Sequence, residues 1–242
     1  MGLIGVYNPH GLGVRGDDFV DVQRSRSTNV AGTGLEVLKF PEGDPEIAVV
    51  FSTNGNLPIE WAVRTDGSFI VVDGEIFNWA TLTAHRGLAK SSSTTDPAGL
   101  LEAYFDQGEA VLAKVDGAAL ITIWDATERK LVFARDRSGI TAGFYNQGPE
   151  NFMWSSEISP LLAAGVPWEI NLPALDYFLG AHYVPSPWSI VKDITKLPPA
   201  HLVSLDDTGK CTLSRYWKPT GQPKFQGSLT DQVDQMGDII RR

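Results

Sequence analysis

Along the first half of the chain, apolar and polar positions alternate in short runs instead of recurring every three or four residues. "GLEVLKF" (34–40), "EIAVVF" (46–51) and "SFIVVDGEIF" (68–77) have the period of two expected of strands. Between them lie "PEGDP", "STNGN" and "TDG", clusters that break regular structure. The "NGN" and "DGS" turns are of the hairpin kind, so the sheet they predict is antiparallel. Another apolar alternating run starts at Leu3, which predicts a strand at the very beginning and places that end inside the folded body.

The pattern then changes. A helix is predicted from Trp79 to about Ala89. A second follows in "STTDPAGLLEAYFDQG", with Thr95 or Asp96 as its cap, Pro97 in its first turn and Gly108 at its close. "AALITIWDATERKLVFARD" (118–136) is the clearest hairpin, turning at residues 126–130. "NFMWSSE" predicts a strand, "ISPLLAAG" a short helix ending at Gly165, and "LPALDYFLGAHY" a helix with Pro173 near its start. "HLVSLDDTGKCTLSRYW" predicts a last hairpin around "DDTG". Strands, then helices, then strands again indicate an α+β layered fold.

Residues 218–227, "KPTGQPKFQG", read as a Gly- and Pro-rich linker after a domain spanning 1–217. Ser228 with Asp231 three residues on resembles a capping box. Leu229, Val233, Met236 and Ile240 share one face of the helix that follows. A short helix with an apolar stripe needs something to bury it, so 228–242 is expected to open a further domain.

Composition narrows the function classes. The 242 residues are 43% hydrophobic and 20% charged, as in a globular protein, and the net charge of −9 argues against a nucleic-acid partner. "IAVVF" and "LLAAGV" are too short to span a bilayer, and nothing resembles a leader, so no membrane role and a cytoplasmic location are expected. Cys211, the single cysteine, can form no internal disulfide and has no activating neighbours in sequence.

Candidate chemistry is sparse. "GLGVRG" (11–16) matches G-x-G-x-x-G, but strand-like "DDFVDVQRSR" follows where a dinucleotide site needs a helix, so a turn is the better reading. His10, His85, His182 and His201 are scattered without metal-ligand spacing, and no metal site is expected. "VDGEIFNW" (72–79) has two readings: a strand-to-helix turn whose glycine supplies backbone freedom, or a turn whose N–H groups hold an oxyanion.

"GLIGVYNPHG", "DGSFIVVDGEIFN", "VDGAALITIWDATERKLVFARDRSGI", "WSSEISPLL" and "IVKDITKLPPAHLVSLDDTGKCTLSRYWKP" follow one another in this order. Together they resemble the N-terminal class II glutamine amidotransferase domain of the asparagine synthetase family, over most of the chain. The resemblance implies a four-layer αββα Ntn-hydrolase sandwich of two antiparallel sheets. It also implies a C-terminal synthetase domain as partner, where ATP and Mg would bind, and no cofactor for this chain itself. It allows a homodimer.

Against that family the sequence departs in three places. The family's nucleophile is an N-terminal cysteine in M-C-G-I-x-G; aligning Gly5 with the last glycine puts Met1 on the cysteine, and a thioether cannot attack an amide. The family's N-G-E motif, whose asparagine and glycine N–H stabilise the oxyanion, here reads Asp73, Gly74, Glu75. Losing one such donor costs on the order of 3 kcal/mol, a few hundred-fold in rate, and an ionised carboxylate in its place adds repulsion. The arginine that clamps the glutamine carboxylate has no counterpart in "GLEVLKF". Asp96 matches the aspartate that pairs with the glutamine amine, and equally suits a helix N-cap. The resemblance therefore implies a relic glutamine pocket of Asp73, Gly74, Glu75 and Asp96 in a scaffold or docking domain without glutaminase activity. The alternatives are an active amidotransferase supplying ammonia for asparagine synthesis, with an altered start, and a module that senses an amine-bearing ligand in the relic pocket.

Overall fold

The computed structural model describes residues 2–10, 35–40, 46–52, 59–83, 95–221 and 227–241. Met1, "GLGVRG", "DDFVDVQRSR", His85, the end of the helix expected from Trp79 and residues 222–226 of the expected linker lie outside them.

Among the described residues two six-stranded sheets, antiparallel at every pairing, form the body. The first has the order β10 (Thr195–Lys196), β8 (Phe144–Gln147), β9 (Phe152–Ser155), β1 (Leu3–Tyr7), β3 (Ile47–Ser52), β2 (Leu35–Phe40). The second runs β12 (Cys211–Arg215), β11 (His201–Leu205), β7 (Lys130–Arg135), β6 (Gly117–Asp125), β5 (Phe69–Ile76), β4 (Ile59–Val63). Period-two alternation sorts the side chains. On β1, Leu3 and Tyr7 enter the core between the sheets, with Phe51, Phe69, Phe133 and Trp154. Ile4 and Val6 face outward and pack with Leu161 of α3 (Ile158–Ala163). On the outside of the second sheet, Ile70, Val72 and Ile121 pack against α1 (Trp79–Thr83), α2 (Pro97–Gln107) and a 3-10 helix (Gly108–Lys114). The layers are thus helix, sheet, sheet, helix. β1 is buried on both faces between two neighbours, so every one of its residues is apolar or aromatic and not only alternate ones, and Gly2 is buried with it.

Two further helices, α4 (Leu172–Ala181) and α5 (Leu229–Ile240), bury almost nothing: Ala174 alone in α4 and no residue in α5. Both capping expectations hold. Asp96 caps α2, and Ser228 and Asp231 form a reciprocal capping box on α5.

The "NGN" expectation is corrected. The turn residues themselves lie outside the described residues, but β3 pairs with β1 and β2 whereas β4 pairs with β5, so the two flanking strands belong to different sheets and are not hairpin partners. Turn chemistry reports where the chain reverses, but each strand's partner depends on which layer needs its apolar face. β4, β8, β10 and the 3-10 helix carry too short or too mixed a pattern to stand out in sequence.

The "ARDRSGI" stretch folds as a self-braced loop. Buried Arg135 donates to the carbonyls of Gly139, Thr141 and Leu197, while Asp136 accepts from the N–H groups of Ser138, Ile140 and Thr141, each at 3.0 Å. Between the sheets, the indole of Trp154 lies where a Cβ on Gly5 would stand, 2.1 Å away, and its Nε1 donates to Thr122 Oγ1 at 3.1 Å across the core. Trp154→Phe leaves that hydroxyl orphaned beside a small void, with an expected loss of about 2–3 kcal/mol. Urea denaturation measures it; an unchanged midpoint would show that the cross-sheet bond contributes nothing.

Candidate functional site

The site lies at one mouth of the sandwich, where β1 begins and β5 and β9 end. Period two carries Asp73 to the same inward side of β5 as Phe69 and Val71, so its carboxyl sits between the sheets, only 6% exposed. Opposite it is Gly2. A Cβ on Gly2 would lie 1.7 Å from Ser156 Oγ and 3.5 Å from Asp73 Oδ2, so a side chain there would displace the Ser156 hydroxyl. Ser156 was not among the residues the sequence singled out. Its Oγ accepts from Leu3 N–H at 3.0 Å and its hydroxyl hydrogen-bonds the Asp73 carboxyl. Ser155 Oγ donates to the Leu3 carbonyl at 2.7 Å. The serine pair thereby pins the start of β1 to the end of β9.

Burial dominates the electrostatics. Removal from water pushes the Asp73 carboxyl above the usual carboxylate range, the Ser156 hydrogen bond pulls it partly back, and the charge of Glu157 pushes it further up. An acid whose folded pKa is raised binds its proton more tightly folded than unfolded. Its stability contribution is therefore full below the unfolded value near 4 and falls as pH rises toward the folded value. Asn at 73 keeps the acceptor without the charge. The stability of Asp73→Asn relative to the parent is expected to increase between about pH 4 and neutrality, read from melting curves at stepped pH. A pH-independent difference would contradict a buried, titrating carboxyl.

Gly74 stands beside Asp73 at the closest approach of β5 and β6. Its φ is +126°, and a Cβ there would meet the Ala118 carbonyl oxygen at 2.2 Å. Glu75 is exposed. Asp96 is committed as a cap, its Oδ1 accepting from Gly99 N–H at 2.8 Å, so of its two expected roles the structure displays the cap. Of residues 72–79, Phe77 and Asn78 make the strand-to-helix turn, while Asp73 and Gly74 lie inside the strand, so the backbone freedom of the glycine serves the pairing of β5 with β6 and not the turn. Cys211 stands on the edge strand β12, four strands from β5 and hence about 19 Å away at ordinary strand spacing. Burial pushes its thiol up, opposite to what a nucleophile needs.

Chemically, the mouth offers a buried acceptor backed by a hydroxyl. It favours donors and cations and opposes a developing oxyanion unless Asp73 carries a proton. No group of His, Cys, Asp and Glu among the described residues could hold a metal ion, and none of their helices is long and apolar enough to cross a membrane.

A family model described as a glutamine amidotransferase domain matches residues 20–217. Asparagine synthetase [glutamine-hydrolyzing] 3 of Bacillus subtilis is 28% identical over 82% of this chain and 33% of its own length. Asparagine synthetase [glutamine-hydrolyzing] 1 of the same organism is 24% identical over 92% of this chain and 36% of its own. The chain thus spans about a third of the length of these relatives. Among solved structures, the glutamine phosphoribosylpyrophosphate amidotransferase from B. subtilis superposes with a TM-score of 0.55 at 11% identity, covering 90% of this chain and 50% of that one. A structure titled as the allosteric regulatory enzyme of purine biosynthesis gives 0.58 at 12%, covering 91% and 50%. At such identity the likeness concerns the fold, that of two-sheet Ntn-hydrolase amidotransferases.

Proposed function

We propose, for a chain that belongs to the glutamine amidotransferase domain family, that it is the amino-terminal, glutaminase-type domain of an ATP-dependent amide-forming protein and does not itself hydrolyse glutamine. The relatives' printed names support the first half: they are glutamine-hydrolysing asparagine synthetases of which this chain spans only about a third. The uncovered apolar stripe of α5 is consistent with a neighbouring domain. ATP and Mg would be held by that synthetase domain, since no phosphate loop occurs in this sequence.

The observation that carries the second half is the buried Asp73 carboxyl. In the family a neutral donor at this place steadies the tetrahedral oxyanion. Here an acceptor occupies it, and neither Met1 nor Gly2 brings a thiol or hydroxyl to the cleft. The domain's work is then scaffolding of the amide-forming partner, with the amine coming from elsewhere. Glutamine incubated with the purified chain is expected to release ammonia no faster than with a heat-denatured control. Release clearly above that control would refute the absence of glutaminase activity.

A further inference from the structure

We infer that the aromatic face built by α4 and the loop after it is the docking surface for a carboxyl-terminal synthetase-type domain; this rests on the domain reading above. Helix α4 has ten residues and buries only Ala174. A helix of that length is marginal without tertiary burial, yet its outward face is strongly apolar. Trp168, Leu172, Phe178, Leu179, Tyr183 and Trp188 are all exposed, Leu172 and Leu179 at 68% each. The face is pre-ordered. Tyr177 packs edge-on against Tyr183 at 5.5 Å and Trp188 at 6.2 Å. Hydrogen bonds from Asn171 N–H to the Ile190 carbonyl and from Lys192 N–H to the Glu169 carbonyl close the segment at its base. Charge is sparse: Glu169 is paired with Lys192 at 2.8 Å, leaving Asp176 as the other carboxylate across residues 168–188. Trp- and Tyr-rich, charge-poor patches are the composition of interface cores, not of free surface.

The size fits a stable contact. At about 100 Å² for each of its seven exposed side chains, counting Tyr177, this face presents roughly 700 Å², close to the share one partner contributes to a standard interface. A following domain suits it better than a second copy on two grounds. The apolar stripe of α5 is also uncovered, with Leu229 and Ile240 exposed by more than three quarters, and one domain attached after α5 would account for both faces. Self-association would also bring together two chains of net charge −9.

Hydroxyl-radical footprinting of this chain and of the longer product of its reading frame tests the assignment. Trp168, Tyr183 and Trp188 are expected to label readily in the chain alone and to be protected severalfold in the longer product. Leu172→Asp combined with Leu179→Asp should leave the melting of the chain alone unchanged and restore labelling in the longer product. Equal labelling in both proteins would overturn the docking surface while leaving the domain reading intact. A reading frame without a further domain would overturn both. A concentration-dependent dimer of the chain alone, abolished by the double substitution, would show instead that a second copy is the occupant and overturn the assignment.

Discussion

A cysteine placed at position 1 behind a removable methionine is expected to remain a poor glutaminase until Asp73→Asn is added, whereupon hydrolysis rises by about two to three orders of magnitude. The cysteine supplies the sulfur, with the α-amine it needs as base. The Asp73 carboxyl, however, is buried opposite Gly2, the neighbour of that position, and so stands near where charge would develop on an attacked amide. Ionised, it repels both the thiolate and the oxyanion; protonated, it offers one donor only while the pH is low. Asparagine removes the charge and restores a permanent N–H donor. Ser156 still pins the start of β1, so the strand from which the nucleophile projects keeps its place. KM reports substrate binding apart from the chemical step, which makes kcat, or the rate of reaction with a glutamine-like electrophile, the quantity to follow. If cysteine alone hydrolyses as fast as the pair, Asp73 is no obstacle, and the proposed reading loses its main support.

Gly74→Ala should cause the largest loss of stability of any single methyl addition at this mouth, about 4 kcal/mol, or roughly 10 °C in melting temperature for a domain this size. Two costs combine. A φ of +126° is strained for any L side chain, and the new Cβ would meet backbone at 2.2 Å from Ala118 O and 2.9 Å from Ala119 Cα. Backbone in a paired strand cannot rotate aside as a side chain can. Gly117 mirrors the contact, with its own Cβ position 2.4 Å from the Glu75 carbonyl oxygen, so two glycines jointly allow β5 and β6 to close. Gly108 is the comparison: its φ of +63° with ψ of −153° also suits glycine, but nothing lies within 4 Å, so alanine there should cost only the conformational part, about 2 kcal/mol. Denaturant unfolding of both variants separates clash from conformation. Equal losses would mean that β5 and β6 spread apart without resistance.

The site was only partly visible in the sequence. Asp73 and Gly74 stood out because a family motif runs through them. Asp96 was ambiguous until its Oδ1 was found on Gly99 N–H. Ser156 passed as an unremarked strand end, because its partner Leu3 is 153 positions away.

What the sequence determined by itself was local: the hairpin of β6 and β7, the Asp96 cap on α2, the capping box on α5, and which runs are strands. Such features depend on residues within about one turn or one hairpin of each other, whose propensities act whatever the rest of the chain does. Only the tertiary structure decided that β3 and β4 belong to different sheets, that Asp73 faces inward against Gly2 and Ser156, and that α4 presents an uncovered aromatic face. Those outcomes depend on burial shared between distant segments: the same alternating run can cover either sheet, and the choice is made when two apolar faces meet.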